Sequence, residues 1–203
     1  MPSFASSSNS SSLISRPLSI IEPLNLAEIF PHQQPLEIEL GSGDGSFITR
    51  YAAAHPEKNF IGVERLLGRL RKINRKGLRA GLGNLRLFRI EASYFLRYLL
   101  PARSIDALHV YFPDPWPKRK HRKNRLIDET FVDTARIALK SGSPVYLRTD
   151  DRDYFTQMQR VFDASLSFEK AETTAELQQV VTDFEREFQK RGVATLRAAY
   201  RLR

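Results

Sequence analysis

The stretch "LEIELGSGDGSF", residues 36–47, decides how this chain folds. "LEIEL" reads as a strand, and Gly41, Gly43 and Gly45 follow it directly, ahead of a helical segment. Glycine there lets the backbone turn tightly and approach a ligand closely, which is how a βαβ unit opens a binding loop. Working outward, "NFIGVE" (59–64), "NLRLFRI" (84–90), "DALHVYF" (106–112) and "PVYLRT" (144–149) read as further strands. "SFITRYAAAH", the run from Arg65 to about Ala80, "ASYFLRYLL" and the segment from about Asn124 to Leu139 read as helices, each stopped by Gly or Pro. Strands alternating with helices predict an α/β fold: a doubly wound, mainly parallel sheet covered on both faces. In "VATLRAAYRLR" the residues Ala194, Leu196, Ala198, Tyr200 and Leu202 recur with a period of two, which predicts a last strand pairing antiparallel at the sheet edge.

The bulk numbers set the frame. A chain of 203 residues is most simply one domain. The first fifteen residues carry eight serines and no charge, so residues 1–20 are expected to be a disordered Ser-rich tail and 21–203 the folded domain. No apolar run approaches the roughly 20 residues that span a bilayer, and the tail lacks both a secretory apolar core and the arginines of a transit peptide. The expectation is a cytoplasmic protein with no membrane partner. With no cysteine and four scattered histidines, disulfides, thiolate chemistry and a metal site are not expected. A net charge of +9 points to a polyanionic partner, because Lys and Arg that neutralise phosphates release counterions.

Acids cluster at the strand ends. Glu64 ends the second strand about 19 residues beyond Gly45, near the spacing at which an acid accepts hydrogen bonds from ribose hydroxyls. The third glycine falls one place early for a dinucleotide loop, and Glu39 and Asp44 would repel a pyrophosphate. A cationic nucleoside ligand suits them better, and S-adenosylmethionine, with a sulfonium and an ammonium, is such a ligand. Glu91, after the third strand, is then placed to receive the adenine amino group. A solvated loop carboxylate is the plain alternative for each acid taken singly.

Positive charge is unevenly spread. Arg65, Arg69, Lys72, Lys76 and Arg79 fall on one helical stripe, and after Glu64 the chain runs to Arg89 without another acid, so phosphate contact is expected of them. A second block fills "VYFPDPWPKRKHRKNR", residues 110–125, where Asp114 sits between two prolines at the mouth of a basic run. Trp116, the only tryptophan, is open to two readings, a stacking surface for an unstacked base or a packing anchor.

Taken together, "FPDPWPKRKHRKNR", "LEIELGSGDG", "GVER", "LRTD" and "TDFE" resemble the bacterial tRNA (guanine-N7-)-methyltransferase family over roughly residues 36–203. The resemblance implies a Rossmann-like class I methyltransferase with a seven-stranded sheet. It also implies transfer of a methyl group from S-adenosyl-L-methionine to N7 of guanine 46 in the variable loop of tRNA. By motif, Glu39, Gly41, Gly43, Glu64, Glu91 and Asp114 become cofactor-binding positions, with Asp114 also the catalytic residue. Lys118, Asp150, Thr182, Asp183, Phe184 and Glu185 become substrate-binding positions. Glu91 stands where Asp is common, and Pro117 where His is frequent. A monomer and a homodimer are both compatible with the sequence. A non-catalytic RNA-binding module, or a methyltransferase of another base, is the competing reading.

Overall fold

The computed structural model describes residues 12–203. Eight strands form one sheet: β1 (Ile14–Ser15), β2 (Leu36–Leu40), β3 (Asn59–Val63), β4 (Leu85–Phe88), β5 (Ala107–Tyr111), β6 (Pro144–Thr149), β7 (Phe168–Ala171) and β8 (Leu196–Leu202). Their spatial order is β1-β4-β3-β2-β5-β6-β8-β7. The sheet thus has eight strands rather than the expected seven, the extra one being the two-residue β1, which pairs parallel with β4 at the edge. β8 is antiparallel as expected, yet it is not an edge strand: it inserts between β6 and β7 and pairs with both. β7 was not legible as a strand, because only Phe168 of "FEKA" is fully buried and the apolar pattern is weak.

Eight α-helical segments connect these strands: α1 (Leu26–Ile29), α2 (Ile48–Ala54), α3 (Leu67–Arg79), α4 (Ala92–Tyr94, continuing as a π-turn to Leu99), α5 (Glu129–Ala138), α6 (Arg152–Asp163), α7 (Ala175–Gln179) and α8 (Asp183–Lys190). The helix expected from Asn124 begins only at Glu129, where the Asp128 side chain accepts from the Phe131 N–H and caps it. The preceding basic residues Arg119–Asn124 wind instead as a 3₁₀ segment.

Alternation explains the two cores. In β2, β5 and β6 the residues Leu36, Ile38, Leu40, Leu108, Val110, Val145 and Leu147 face one apolar layer, built with α5 and α6. Their neighbours face the layer of α2 and α3, which holds Phe47, Ile48, Tyr51, Leu70 and Ile73. That second face carries a polar chain within the strands. Lys58 donates to Glu37 at 2.7 Å, His109 Nε2–H donates to Glu37 at 2.8 Å, and the Tyr111 hydroxyl lies 2.8 Å from His109 Nδ1. Burial works against the Glu37 carboxylate, but His109 and Lys58 outweigh it and bring its pKa down to about 2. Burial likewise lowers the pKa of His109, and both of its ring nitrogens have partners, Glu37 and the Tyr111 hydroxyl.

The tail is corrected in part. Residues 1–11 lie outside the described residues, but Leu13 is buried and β1 follows it. Gly77 makes that docking possible, since a Cβ there would collide with the Leu13 side chain. The Leu13 N–H donates to Asn74 Oδ1 at 2.7 Å and the Leu87 N–H to the Leu13 carbonyl at 2.9 Å. Leucine at position 13 supplies apolar surface that serine composition alone conceals.

Candidate active site

All parallel strands end on one edge of the sheet, and ligands of open α/β sheets bind at that carboxyl edge. The glycine loop rises from β2. Gly41, Gly43 and Gly45 all have positive φ (79°, 55° and 77°), which side-chain-bearing residues rarely adopt. At Gly45 a Cβ would also press on Ile73 of α3 at 2.9 Å, so the third glycine seats the loop against that helix.

Two adjoining cavities lie beside this loop. The first is lined by Gly41, Glu64, Glu91, Asp114, Trp116 and Arg69, among others. The second is lined by Glu39, Gly43, Asp44, Ser46, Thr182 and Phe184 and shares Gly41, Arg69, Tyr111, Phe112 and Asp114 with the first. Glu39, Gly41, Gly43, Glu64, Glu91 and Asp114, expected to be cofactor-binding, therefore meet in one place.

Their states differ. Glu39 is buried, its Oε2 has no hydrogen-bond partner, and burial pushes its pKa up to about 8. Glu64 is also buried, but its two oxygens accept from the Gly43 N–H at 3.0 Å and the Leu66 N–H at 2.7 Å, tying the loop to the start of α3. Glu91 caps α4: Oε1 accepts from the Ser93 N–H at 3.0 Å and Oε2 from the Tyr94 N–H at 2.8 Å. Asp114 is exposed at the cavity mouth.

Asp44 departs from expectation. It was to supply negative charge for a cationic ligand, but Lys76 binds its Oδ2 at 3.1 Å and Lys72 approaches at 3.7 Å. Burial opposes its ionisation, yet Lys76 and Ser46 outweigh that and hold the carboxyl well below the usual range. The same pairing withdraws Lys72 and Lys76 from the phosphate-binding stripe. The partner acid lay 32 residues away from Lys76, beyond the reach of an i,i+4 search.

The expected substrate-binding residues divide. Thr182 and Phe184 reach the second cavity, whereas Lys118, Asp150, Asp183 and Glu185 line neither. Lys118 is exposed at the head of the 3₁₀ segment, and Asp150 is partly buried at the end of β6. Asp183 donates its N–H to Ser46 Oγ at 3.1 Å and pairs through its carboxylate with Arg186 and Arg50. Glu185 differs most from a cavity residue in its surroundings. It is fully buried, bound to Arg148 at 2.9 Å and Arg197 at 2.8 Å, and closes a capping box with Thr182. These contacts make it a scaffold group that orients α8 and Thr182. "TDFE" spells the T-x-x-E capping box, so the signal for this role was in the sequence.

Sequence reading misses Arg148 and takes Arg125 only as one cation of the basic block. Arg148 donates to the Val180 carbonyl at 2.7 Å and the Leu177 carbonyl at 2.5 Å, and lies 4.3 Å over the Tyr111 ring. Its signal was a charge inside the apolar strand "PVYLRT", since a buried cation requires a buried acid.

A sheet of this order with a glycine loop after β2 defines the class I methyltransferase fold. KamB, a 16S rRNA methyltransferase of known structure, superposes with a TM-score of 0.65 at 13% identity, covering 89% of this chain and 94% of that one. In sequence, residues 33–198 match the family described as "Putative methyltransferase". The tRNA (guanine-N(7)-)-methyltransferase of Nitrosococcus oceani is 35% identical over 84% of this chain and 72% of its own length. That of Streptococcus suis is 40% identical over 64% of this chain, and the chain spans 60% of its length. The chain belongs to the tRNA (guanine-N7-)-methyltransferase family, and it is an enzyme of the methyltransferase class.

Proposed function

We propose that this enzyme transfers a methyl group from S-adenosyl-L-methionine to N7 of guanine 46 in the variable loop of tRNA, acting in the cytoplasm. The observation that carries the reading is the unpartnered, buried Glu39 carboxyl opening on the same pair of cavities as Glu64, Glu91 and exposed Asp114. A buried polar atom left without a partner calls for a ligand to complete it. A ligand with a cationic amino group fits, because Asp44 is already held by Lys76 while Glu39 has a free oxygen and gives up its proton when a cation is placed beside it. Glu39 and the Gly41–Gly43 backbone would hold the amino-acid end, Glu64 the ribose and Glu91 the adenine side. When bound, the cofactor supplies an electrophilic methyl group on a sulfonium.

Guanine N7 carries a lone pair and no proton, so its methylation requires no base to deprotonate the nucleophile. Asp114 acts by position: a carboxylate accepts hydrogen bonds from the N1 and N2 donors of guanine and stabilises the ring as it becomes cationic. Much of the rate then comes from holding N7 in line with the methyl carbon at roughly 3 to 3.5 Å. Arg65 and Arg69 line Asp114's cavity, and exposed Lys118, Arg119 and Lys120 follow Asp114 in the chain, all cations suited to tRNA phosphates. Phe184, which is 42% exposed and stacks with Phe112, offers an aromatic face at the second cavity, and Asp150 follows β6 at the same edge.

The direct test is incubation of unmodified tRNA with methyl-labelled S-adenosylmethionine, followed by base identification by mass. Label in 7-methylguanine at position 46 is the expected result. Label in another base supports a different methyltransferase, and no label with retained tRNA binding supports an RNA-binding module.

A further inference from the structure

We propose that Arg125 is a positioning residue that locks the Pro113–Pro117 loop and so sets where Asp114 stands; the role in catalysis rests on the reading above. By sequence Arg125 is one more cation of a phosphate-binding block. In the fold its side chain is only 2% exposed and turns inward. Its Nε–H donates to the Pro115 carbonyl at 2.7 Å, one residue past Asp114. The other two nitrogens donate to Gln157 Oε1 at 2.8 Å and Asp153 Oδ2 at 2.6 Å, both on α6. The guanidinium also lies 4.8 Å over the Tyr154 ring.

The loop has reason to need a clamp. Phe112 and Trp116, on either side of the Pro-Asp-Pro segment, have φ of 52° and 45°. Positive φ is costly for such side chains, on the order of 1 kcal/mol or more each, and persists only where surrounding contacts enforce it. At the β5 end the Phe112 N–H is held by the Arg148 carbonyl at 2.8 Å. Beyond Asp114 the Pro115 carbonyl is held by Arg125. Proline cannot donate, so that carbonyl is the polar backbone group through which Pro115 can be fixed. The planar fork of arginine grips one carbonyl and two α6 side chains together, which lysine cannot do. The loop bearing Asp114 is thereby tied to α6, a helix that reaches neither cavity.

Trp116 provides the readout, since it is the only tryptophan and adjoins Pro115. Its emission spectrum and acrylamide quenching would be measured for the wild type, Arg125→Ala, Arg125→Lys and Gln157→Ala, alongside tRNA affinity at several salt concentrations and methylation kinetics. Arg125→Ala is expected to raise Trp116 quenching and lower kcat roughly 100-fold, the scale of an Å-level misplacement, with tRNA affinity within about twofold. Arg125→Lys should recover part of both. If Arg125→Ala does not fold, Gln157→Ala, which leaves the cation paired with Asp153, should move both readouts in the same direction by less.

Unchanged Trp116 quenching with unchanged kcat overturns the proposal. So does a tRNA salt slope shallower by about 0.7 to 0.9, which would make Arg125 a phosphate ligand instead. If the wild type yields no 7-methylguanine, the proposed function fails by itself, while Trp116 still decides whether Arg125 clamps the loop.

Discussion

Glu39 and Glu185 are both buried carboxyl groups near the carboxyl edge of one sheet, and they stand in opposite states. Glu185 is ringed by Arg148, Arg197 and the Thr182 N–H. Glu39 keeps one oxygen with no partner and a raised pKa. The saturated carboxylate belongs to the scaffold, because a matched buried ion pair has nothing left with which to bind. Under the proposed function the bare one is a receptor held open at a cost in stability, the usual relation between a site and the fold that supports it.

The comparison breaks most violently at Glu185. Glu185→Ala leaves Arg148 buried without its carboxylate, and loss of one member of a buried pair costs about 3 to 5 kcal/mol. A fall of about 10 °C in thermal midpoint is expected for a chain of this size; a midpoint unchanged within 2 °C, on the same scale, would mean that Glu185 is not structural. Asp114→Ala should do the reverse. Being exposed, it should leave the midpoint alone and lower methylation roughly 100-fold or more, with cofactor affinity by titration calorimetry falling less. Equal losses in both would make it a cofactor residue only.

Glu39→Gln sharpens the contrast through pH. The folded protein holds a proton on Glu39 up to about pH 8, whereas the unfolded chain releases it near the ordinary glutamate value of 4.5. Between those values the folded state binds more protons, so stability falls as pH rises, and the penalty is complete above about 8. The Gln variant should be more heat-stable than the wild type in the absence of cofactor. Its advantage should grow from pH 5 to 8 to the order of a few kcal/mol, while its cofactor affinity falls roughly tenfold. A pH-independent difference between the two proteins would contradict this account of Glu39. The smallest effect is expected from Lys118→Ala with Arg119→Ala: weaker tRNA binding, with a salt slope shallower by about 0.7 to 0.9 per lost phosphate contact.

Much of the site was legible from the chain. Strand ends and glycines located Glu39, Glu64, Glu91 and Asp114, and the fold brings all of them to the paired cavities. The reading went astray where a charge was assigned by its sequence neighbours. Asp44, Lys72 and Lys76 looked free and are paired; Glu185 looked like a substrate ligand and is sealed inside. Arg125 looked like one more surface cation and faces the core. Each error concerns a group whose partner comes from a distant element.

By itself the sequence determined the layered α/β architecture and the glycine loop, because strand period, helix stops and the backbone freedom of glycine are local properties. Tertiary structure alone decided the place of β8 inside the sheet, and which charges are matched and which stay bare. Arg148 and Glu185 are 37 residues apart, and Arg125 and Asp153 are 28. Electrostatic energy depends on separation and burial in space, and a linear order of residues carries neither.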